Sequence, residues 1–250
     1  MDVRTRRRAL LAVMQRDGEI EVRQLAADLE CSEMTIRRDL DALARDGVIR
    51  RVHGGAVAVQ LRRYELPYAV RALEAVEAKQ RIGRAVAGLI ADGETVTLDS
   101  GTTALEVARA LRGRAVTVLP LGLRALLELA EDPAVRLIAP GGDVRSGELV
   151  VSGDLAEVAF ERLRFDTFVL GVCGLDVVDG LTTHVPADAR LKRAAVRAAR
   201  RTVAVSDASK LGRVAFGHVC GLEDLDRLVT DADPERTRPF EAVGLQVQRV

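Results

Sequence analysis

The sequence predicts an α/β chain in two parts: a small winged helix-turn-helix, then an open, mostly parallel sheet with helices on both faces. Three observations predict it. Residues 1–59 read in the order helix, short strand, helix, turn, helix, hairpin. From residue 78 onward, helical and strand-like stretches alternate across short connections, which is how a parallel sheet is built. Between them, residues 60–77 include Arg62, Arg63 and Pro67, and the proline prevents one uninterrupted helix. The expected boundaries are therefore 1–59 for the first domain, 60–77 for a linker and 78–250 for the second domain.

In the first domain, Arg4 to Gln15 reads as a helix with Leu10, Leu11 and Met14 as its apolar positions, ended by Asp17-Gly18. Glu19 to Glu21 is a short strand. Val22 to Leu29 is a second helix, with Val22, Leu25, Ala26 and Leu29 facing inward. Ser32 suits the N-cap of a third helix, because its hydroxyl can accept a bond from an orphan N–H of the first turn. Ile36, Leu40 and Leu43 then form one apolar stripe. At about 100° per residue, Met34 and Arg38 point away from that stripe, and Thr35 and Arg37 flank it. Gly47 sits where a helix would stop with a left-handed residue. Val48 to Val52 is a strand, Gly54-Gly55 permits a tight turn, and Val57 to Val59 is the return strand.

A small helix with arginines near its start, beside a basic hairpin, suits duplex DNA. The major groove admits one helix, and arginine offers paired donors to guanine or to phosphate. A solvated surface helix is the plainer reading of the same arginines. The order of parts favours DNA: in a winged helix-turn-helix the second helix braces, the third reads bases, and the wing touches backbone or minor groove. The run Ser32-x-x-Thr35-Ile36-Arg37-Arg38-Asp39-Leu40, followed by Gly47-Val-Ile-Arg-Arg-Val-His53-Gly-Gly-Ala56, resembles the DNA-binding head of the DeoR family of bacterial transcription regulators. The resemblance places Thr35, Arg37 and Arg38 at DNA, with Arg51, His53 and Gly54 near the wing. Ser32 and Met34 complete the expected DNA-facing set. His53 also fits a hairpin residue bonded to a neighbouring carbonyl.

Composition bounds what else the chain can be. Its 250 residues, 48% of them hydrophobic, suffice for two domains with cores. No run approaches the roughly 20 apolar residues of a membrane span, and the arginine-rich N-terminus has no apolar signal core. Cys31, Cys173 and Cys220 are widely separated and odd in number, which argues against a disulfide framework or a zinc site and for a reducing cytoplasm. Neither a dinucleotide fingerprint nor a phosphate loop with a Walker lysine appears, and no cofactor is expected. The net charge is zero, but residues 1–63 hold thirteen arginines against ten acidic residues, a local excess of +3. Counterion release grows with each phosphate contact, so so modest a head implies more than one head per DNA, in a homodimer or homotetramer.

In the second domain the expected helices are 81–91, 103–111, 123–130, 155–163 and 188–200. The expected strands are 95–98, 115–119, 135–139, 167–171, 202–205, 227–230 and 245–248. Ligands bind such sheets beyond the carboxyl ends of the strands. There the sequence offers Asp99-Ser100-Gly101-Thr102-Thr103, which leads directly into a helix. Its hydroxyls and backbone N–H groups can surround an anion, helped by the positive end of the helix. Asp99 would repel phosphate, so it suits sugar hydroxyls. A plain helix start with Thr102 as N-cap is the alternative. Further strand ends supply Gly141-Gly142, Gly171 to Asp176 with Gly174, and Ser206 to Lys210 with Asp207. The chain has three lysines, Lys79, Lys192 and Lys210, against 34 arginines. Lys192 and Lys210 fall in these regions, where a compact flexible charge fits a tight pocket better than a planar fork.

These loops also resemble the effector domain of the DeoR family, whose fold is shared with ribose-5-phosphate isomerase, the sugar-phosphate deaminases and the CoA transferases. The resemblance implies a repressor of a carbohydrate operon whose operator binding is controlled by a phosphorylated sugar or polyol. The alternative is a sugar-phosphate isomerase-like enzyme. The isomerases carry paired acids in a Gly-Ala-Asp-Glu-like loop, whereas Gly171-Val-Cys-Gly-Leu-Asp176 keeps one acid and places it later. Beyond Asp233 nothing distinctive is read.

Overall fold

A computed structural model of the chain describes residues 2–45, 49–58 and 66–250. Contacts divide it into two units, Met1–Glu74 and Ala75–Val250.

The first unit begins with α1 (Val3–Asp17), capped by Asp2, whose carboxylate accepts the Thr5 N–H at 3.0 Å. Gly18 ends it at φ 78°, donating its N–H to the Met14 carbonyl. Strand β1 (Glu19–Glu21) leads into α2 (Val22–Asp28) and then α3 (Glu33–Arg45). Ser32 accepts the Thr35 N–H at 3.2 Å, the expected N-cap bond. The stripe of Ile36, Leu40 and Leu43 is sealed against Leu10, Leu11, Met14, Val22 and Leu25. Each such side chain contributes about 1.5–3 kcal/mol by leaving water. Strands β2 (Ile49–Val52) and β3 (Gly55–Ala58) form the wing hairpin, and β3 pairs antiparallel with both β1 and β2. The turn is His53-Gly54, and only Gly54 takes a positive φ, 76°. Gly55 belongs to β3, so the Gly54-Gly55 turn expected from sequence is corrected here. A Cβ on Gly55 would lie 2.0 Å from the Ile20 carbonyl oxygen, so glycine there serves strand packing. Helix α4 (Tyr68–Arg71) adds Val70 to the same core. The expected helix stop at Gly47, strand start at Val48, return-strand end at Val59, and residues 60–65 lie outside the described residues.

The second unit is built on seven parallel strands. In chain order its elements are α5 (Val76–Ala87), β4 (Thr95–Leu98), α6 (Thr102–Ala110), β5 (Thr117–Pro120), α7 (Leu123–Leu129) and β6 (Arg136–Leu137). A hairpin follows, β7 (Asp143–Arg145) with β8 (Val150–Ser152), then α8 (Asp154–Arg162) and β9 (Phe165–Gly171). After these come β10 (Gly174–Asp176), β11 (Gly180–Thr183), α9 (Pro186–Ala198), β12 (Ala199–Ser206), β13 (Gly217–Cys220) and β14 (Arg227–Thr230). The unit closes with α10 (Pro234–Ala242) and β15 (Gln246–Arg249). The main sheet runs β15-β14-β12-β9-β4-β5-β6, and every pairing in it is parallel.

Successive side chains of a strand face opposite sides, and the core obeys this rule. Val96, Leu98, Val118, Val169, Val203, Val205 and Val229 pack beneath Ile82, Val86, Val107 and Leu111. Leu119, Phe168, Leu170, Ala204 and Leu228 pack beneath Phe160, Leu191, Ala195 and Phe240. From β4 the chain winds outward to β5 and β6 on one side, then crosses back to β9, β12, β14 and β15 on the other. The strand order therefore reverses between β4 and β9. The hairpin β7-β8 and the antiparallel sheet β10-β11-β13 are additions that the sequence reading did not contain. The tail forms α10, which the sequence reading did not contain, and the edge strand β15, expected at 245–248.

Candidate functional site

On α3, Met34 is 59% exposed, and Arg37 and Arg38 also face solvent. Arg37 pairs with Glu33 one turn earlier at 3.0 Å. Among the described residues no hydrogen bond or ion pair engages the Arg38 side chain. The Thr35 hydroxyl sits 2.9 Å from that of Ser32, on the same exposed helix start. Arg51 bridges the wing to α3: it meets Asp41 at 2.9 Å and donates to the Gly55 carbonyl at 2.7 Å. His53 and Gly54 form the exposed wing tip.

In the second unit the strand order reverses between β4 and β9, and the carboxyl ends of the strands at such a reversal are the usual ligand position. Gly101 caps α6 at φ 109°, ψ 175°, backbone that essentially only glycine adopts. No side chain caps this helix, and Leu105 is the first residue to bond back, to the Gly101 carbonyl. The N–H groups of the first turn are therefore available to an anion. Thr102 is the first helical residue and Gly101 is the cap, which corrects the alternative of Thr102 as N-cap.

Beneath this helix start lies a buried ion pair. Asp99 is 1% exposed, and Lys192 Nζ reaches it at 2.8 Å. Asp99 also accepts the N–H of Ser100 at 2.7 Å and of Gly171 at 3.0 Å, and Lys192 donates to the Gly171 carbonyl at 3.2 Å. Burial raises the Asp99 pKa, and Lys192 and the Ser100 N–H offset part of that rise. Burial opposes the Lys192 ammonium, but Asp99, Cys173 and Asp188 together outweigh it and hold its pKa above the usual value. The pair is thus a charged floor tying β4, β9 and α9 together. Asp188 lies one helical turn before Lys192 and is gripped by both terminal nitrogens of Arg145, each at 2.7 Å.

The other expected residues divide. Asp207 follows β12; it caps the short turn Ala208–Lys210 by accepting the Ser209 N–H at 3.0 Å. Lys210 is half-buried in that turn, and among the described residues its ammonium has no partner. Gly142 lies under the Ser152 carbonyl, where a Cβ would come within 2.4 Å, and Gly141 faces Leu155. Gly174 fits close beneath the Arg213 carbonyl. The Asp176 carboxylate holds the β10-β11 turn, accepting N–H groups of Val178 and Asp179. The carboxyl edge at β4 and β9 thus gathers Asp99, Ser100, Gly101, Thr102, Thr103 and Lys192, with Lys210 and Asp207 at the end of β12, two places along the sheet from β4. Arg145 was not among the expected residues. Its partner stands 43 positions away, a separation that no local pattern reveals.

Two family models match the chain: a DeoR-like helix-turn-helix domain over residues 6–61 and a DeoR C terminal sensor domain over residues 74–232. The chain belongs to the DeoR family. Its curated relatives are similar over nearly their full lengths. The HTH-type transcriptional regulator GlpR of Haloferax volcanii is 37% identical over 246 residues, 97% of this chain and 95% of that protein. The glycerol-3-phosphate regulon repressor of Escherichia coli is 32% identical over 232 residues, 92% of this chain and 91% of that protein. Ribose-5-phosphate isomerase A of Methanocaldococcus jannaschii aligns with 54% of each chain at 15% identity and a TM-score of 0.41. As a DeoR-family member the chain is a DNA-binding transcriptional regulator with a helix-turn-helix head and a sensor domain. Among the described residues no helix is long and apolar enough to cross a membrane.

Proposed function

We propose that this regulator represses a carbohydrate operon, and that a phosphorylated sugar or polyol bound in the crevice at β4 and β9 controls its hold on the operator. The observation that carries the reading is the start of α6. It offers uncapped N–H groups, the hydroxyls of Ser100, Thr102 and Thr103, and a turn that Gly101 makes possible. A phosphate dianion matches that donor set. Lys210 supplies a positive charge that has no partner among the described residues. The E. coli relative, by its name, represses a glycerol-3-phosphate regulon, which agrees in ligand class.

In this reading the sensor binds without turnover. General-base catalysis needs a carboxylate poised at a proton on carbon. Asp99, Asp176, Asp188 and Asp207 each already accept hydrogen bonds from this chain. The ligand acts only as far as its affinity differs between DNA-competent and DNA-incompetent states. We assign it the second, so that it is an inducer. The working form is a homodimer or homotetramer in the cytoplasm, held by residues after 78.

Thermal melts of the full chain test the ligand class, against sugar and polyol phosphates and the matching free compounds. A specific phosphate at a hundred times its Kd adds about 2.7 kcal/mol of stability. Equal stabilisation by the free compounds would overturn the phosphate assignment. A Lys210→Ala variant that responds at wild-type concentrations would remove Lys210 from the site.

A further inference from the structure

A groove of about 530 Å³ runs between α1 and the outer face of α3, and Thr35 and Arg38 form part of its wall. Arg6 and Arg7 reach it from α1, and Arg45 from the end of α3. Against these four arginines stand two aspartates, Asp39 and Asp41. Asp41 is paired with Arg51 of the wing. Asp39 is 6% exposed and holds two arginines at once, accepting from Arg6 Nε at 2.5 Å and from Arg7 Nε at 3.2 Å.

That arrangement is more than a staple. The two helices already meet through Leu10, Leu11 and Met14 against Ile36, Leu40 and Leu43, and a buried ion pair is a weak source of stability. What the carboxylate does fix is direction. Holding Arg7 by Nε leaves its two terminal nitrogens without a partner among the described residues, on a side chain 33% exposed. The Arg38 guanidinium, on the wall of the same groove, has no partner among the described residues. The open terminal nitrogens of Arg7 and the Arg38 fork, both on one groove, match the oxygens of a phosphodiester.

We propose that this groove is a phosphate subsite of the DNA interface: Arg7 and Arg38 grip one backbone phosphate, and Asp39 is the positioning residue that aims the α1 arginines. The proposal rests on α3 being the helix that reads DNA, and it adds α1 to the contact surface.

Fluorescence anisotropy of the full chain on a short mixed-sequence duplex, measured over a salt series, tests it. The slope of log K against log salt counts phosphate contacts, at about 0.9 per contact. Arg7→Gln is expected to lower the slope by about 0.9 and to weaken binding, and Arg7→Lys to restore the slope. Asp39→Asn is expected to weaken binding and lower the slope as well. A carboxylate that only added negative charge would do the reverse, since its removal strengthens attachment to DNA. Wild-type chain without salt-dependent binding would overturn the DNA reading and this proposal together. Salt-dependent wild-type binding with an unchanged slope in Arg7→Gln would overturn the proposal alone. Should Asp39→Asn melt out in circular dichroism, the two Arg7 variants decide.

Discussion

On the first unit Arg37 and Arg38 stand in solvent on an open helix face, whereas in the second unit Asp99, Lys192 and Asp207 are almost sealed from water. In the proposed function each unit receives an anion. A long polyanion comes to a convex surface, so its readers must reach outward and keep no strong partner. A small anion enters a crevice, so charge there is first neutralised within the protein, and a few leftover donors define what fits. The Asp99–Lys192 ion pair is such a floor, its two charges cancelling each other, and in the proposed site the α6 start with Lys210 supplies the leftover donors.

Breaking the floor should show the largest effect. Lys192→Ala leaves Asp99 buried without its counter-ion and is expected to cost about 3–5 kcal/mol in urea denaturation. Asp99→Asn with Lys192→Met should recover much of that loss, because an apolar or neutral replacement of a whole buried pair is often tolerated. A Lys192→Ala chain as stable as wild type would remove the contrast between the units. Next comes Gly101→Ala, which forces a side chain into backbone reserved for glycine. It should cost about 1–3 kcal/mol of stability and abolish stabilisation by phosphorylated ligands in the same melts. On the outward-facing side, Arg38→Ala should weaken operator binding by about 1–3 kcal/mol if it reads a base, while stability stays within about 0.5 kcal/mol. Gel-shift titration beside a urea melt separates the two quantities. A small effect closes the series. The N–H and hydroxyl of Thr95 hold the Asp166 carboxyl below the usual carboxylate range. Its contribution is therefore complete above the unfolded pKa and is lost as pH falls through the lower folded value. Asp166→Asn should therefore lower stability slightly at neutral pH and leave it nearly unchanged below the folded pKa, which flattens the acid limb of the stability curve.

The head was legible almost in full, because its signals are local: a stripe at Ile36, Leu40 and Leu43, a cap at Ser32, a tight turn through Gly54. The second glycine was misplaced because its reason, the Ile20 carbonyl across the sheet, is not local. In the second unit the parallel strands were legible as apolar runs. Hairpin β7-β8 and sheet β10-β11-β13 were not, since glycine and polar residues break up most of these strands and they read as loops between the parallel ones. Helix α10 hid for another reason: it contains Pro239 and buries only Thr237 and Phe240. At the crevice, the loops were readable from glycines and hydroxyls. The pairing of Asp99 with Lys192 was not, because it joins residues that only the fold brings together.

Arg51 carries a consequence for the cost of docking on DNA. By joining Asp41 of α3 to the Gly55 carbonyl of β3, it fastens the wing to the helix that the proposed function assigns to DNA reading. Fixing one residue's backbone costs about 1–2 kcal/mol of conformational entropy. With the hairpin's stem already held, that loss falls on the His53-Gly54 tip alone. The wing can meet the double helix as a formed part, and its contribution to affinity is reduced by the ordering of two residues instead of ten.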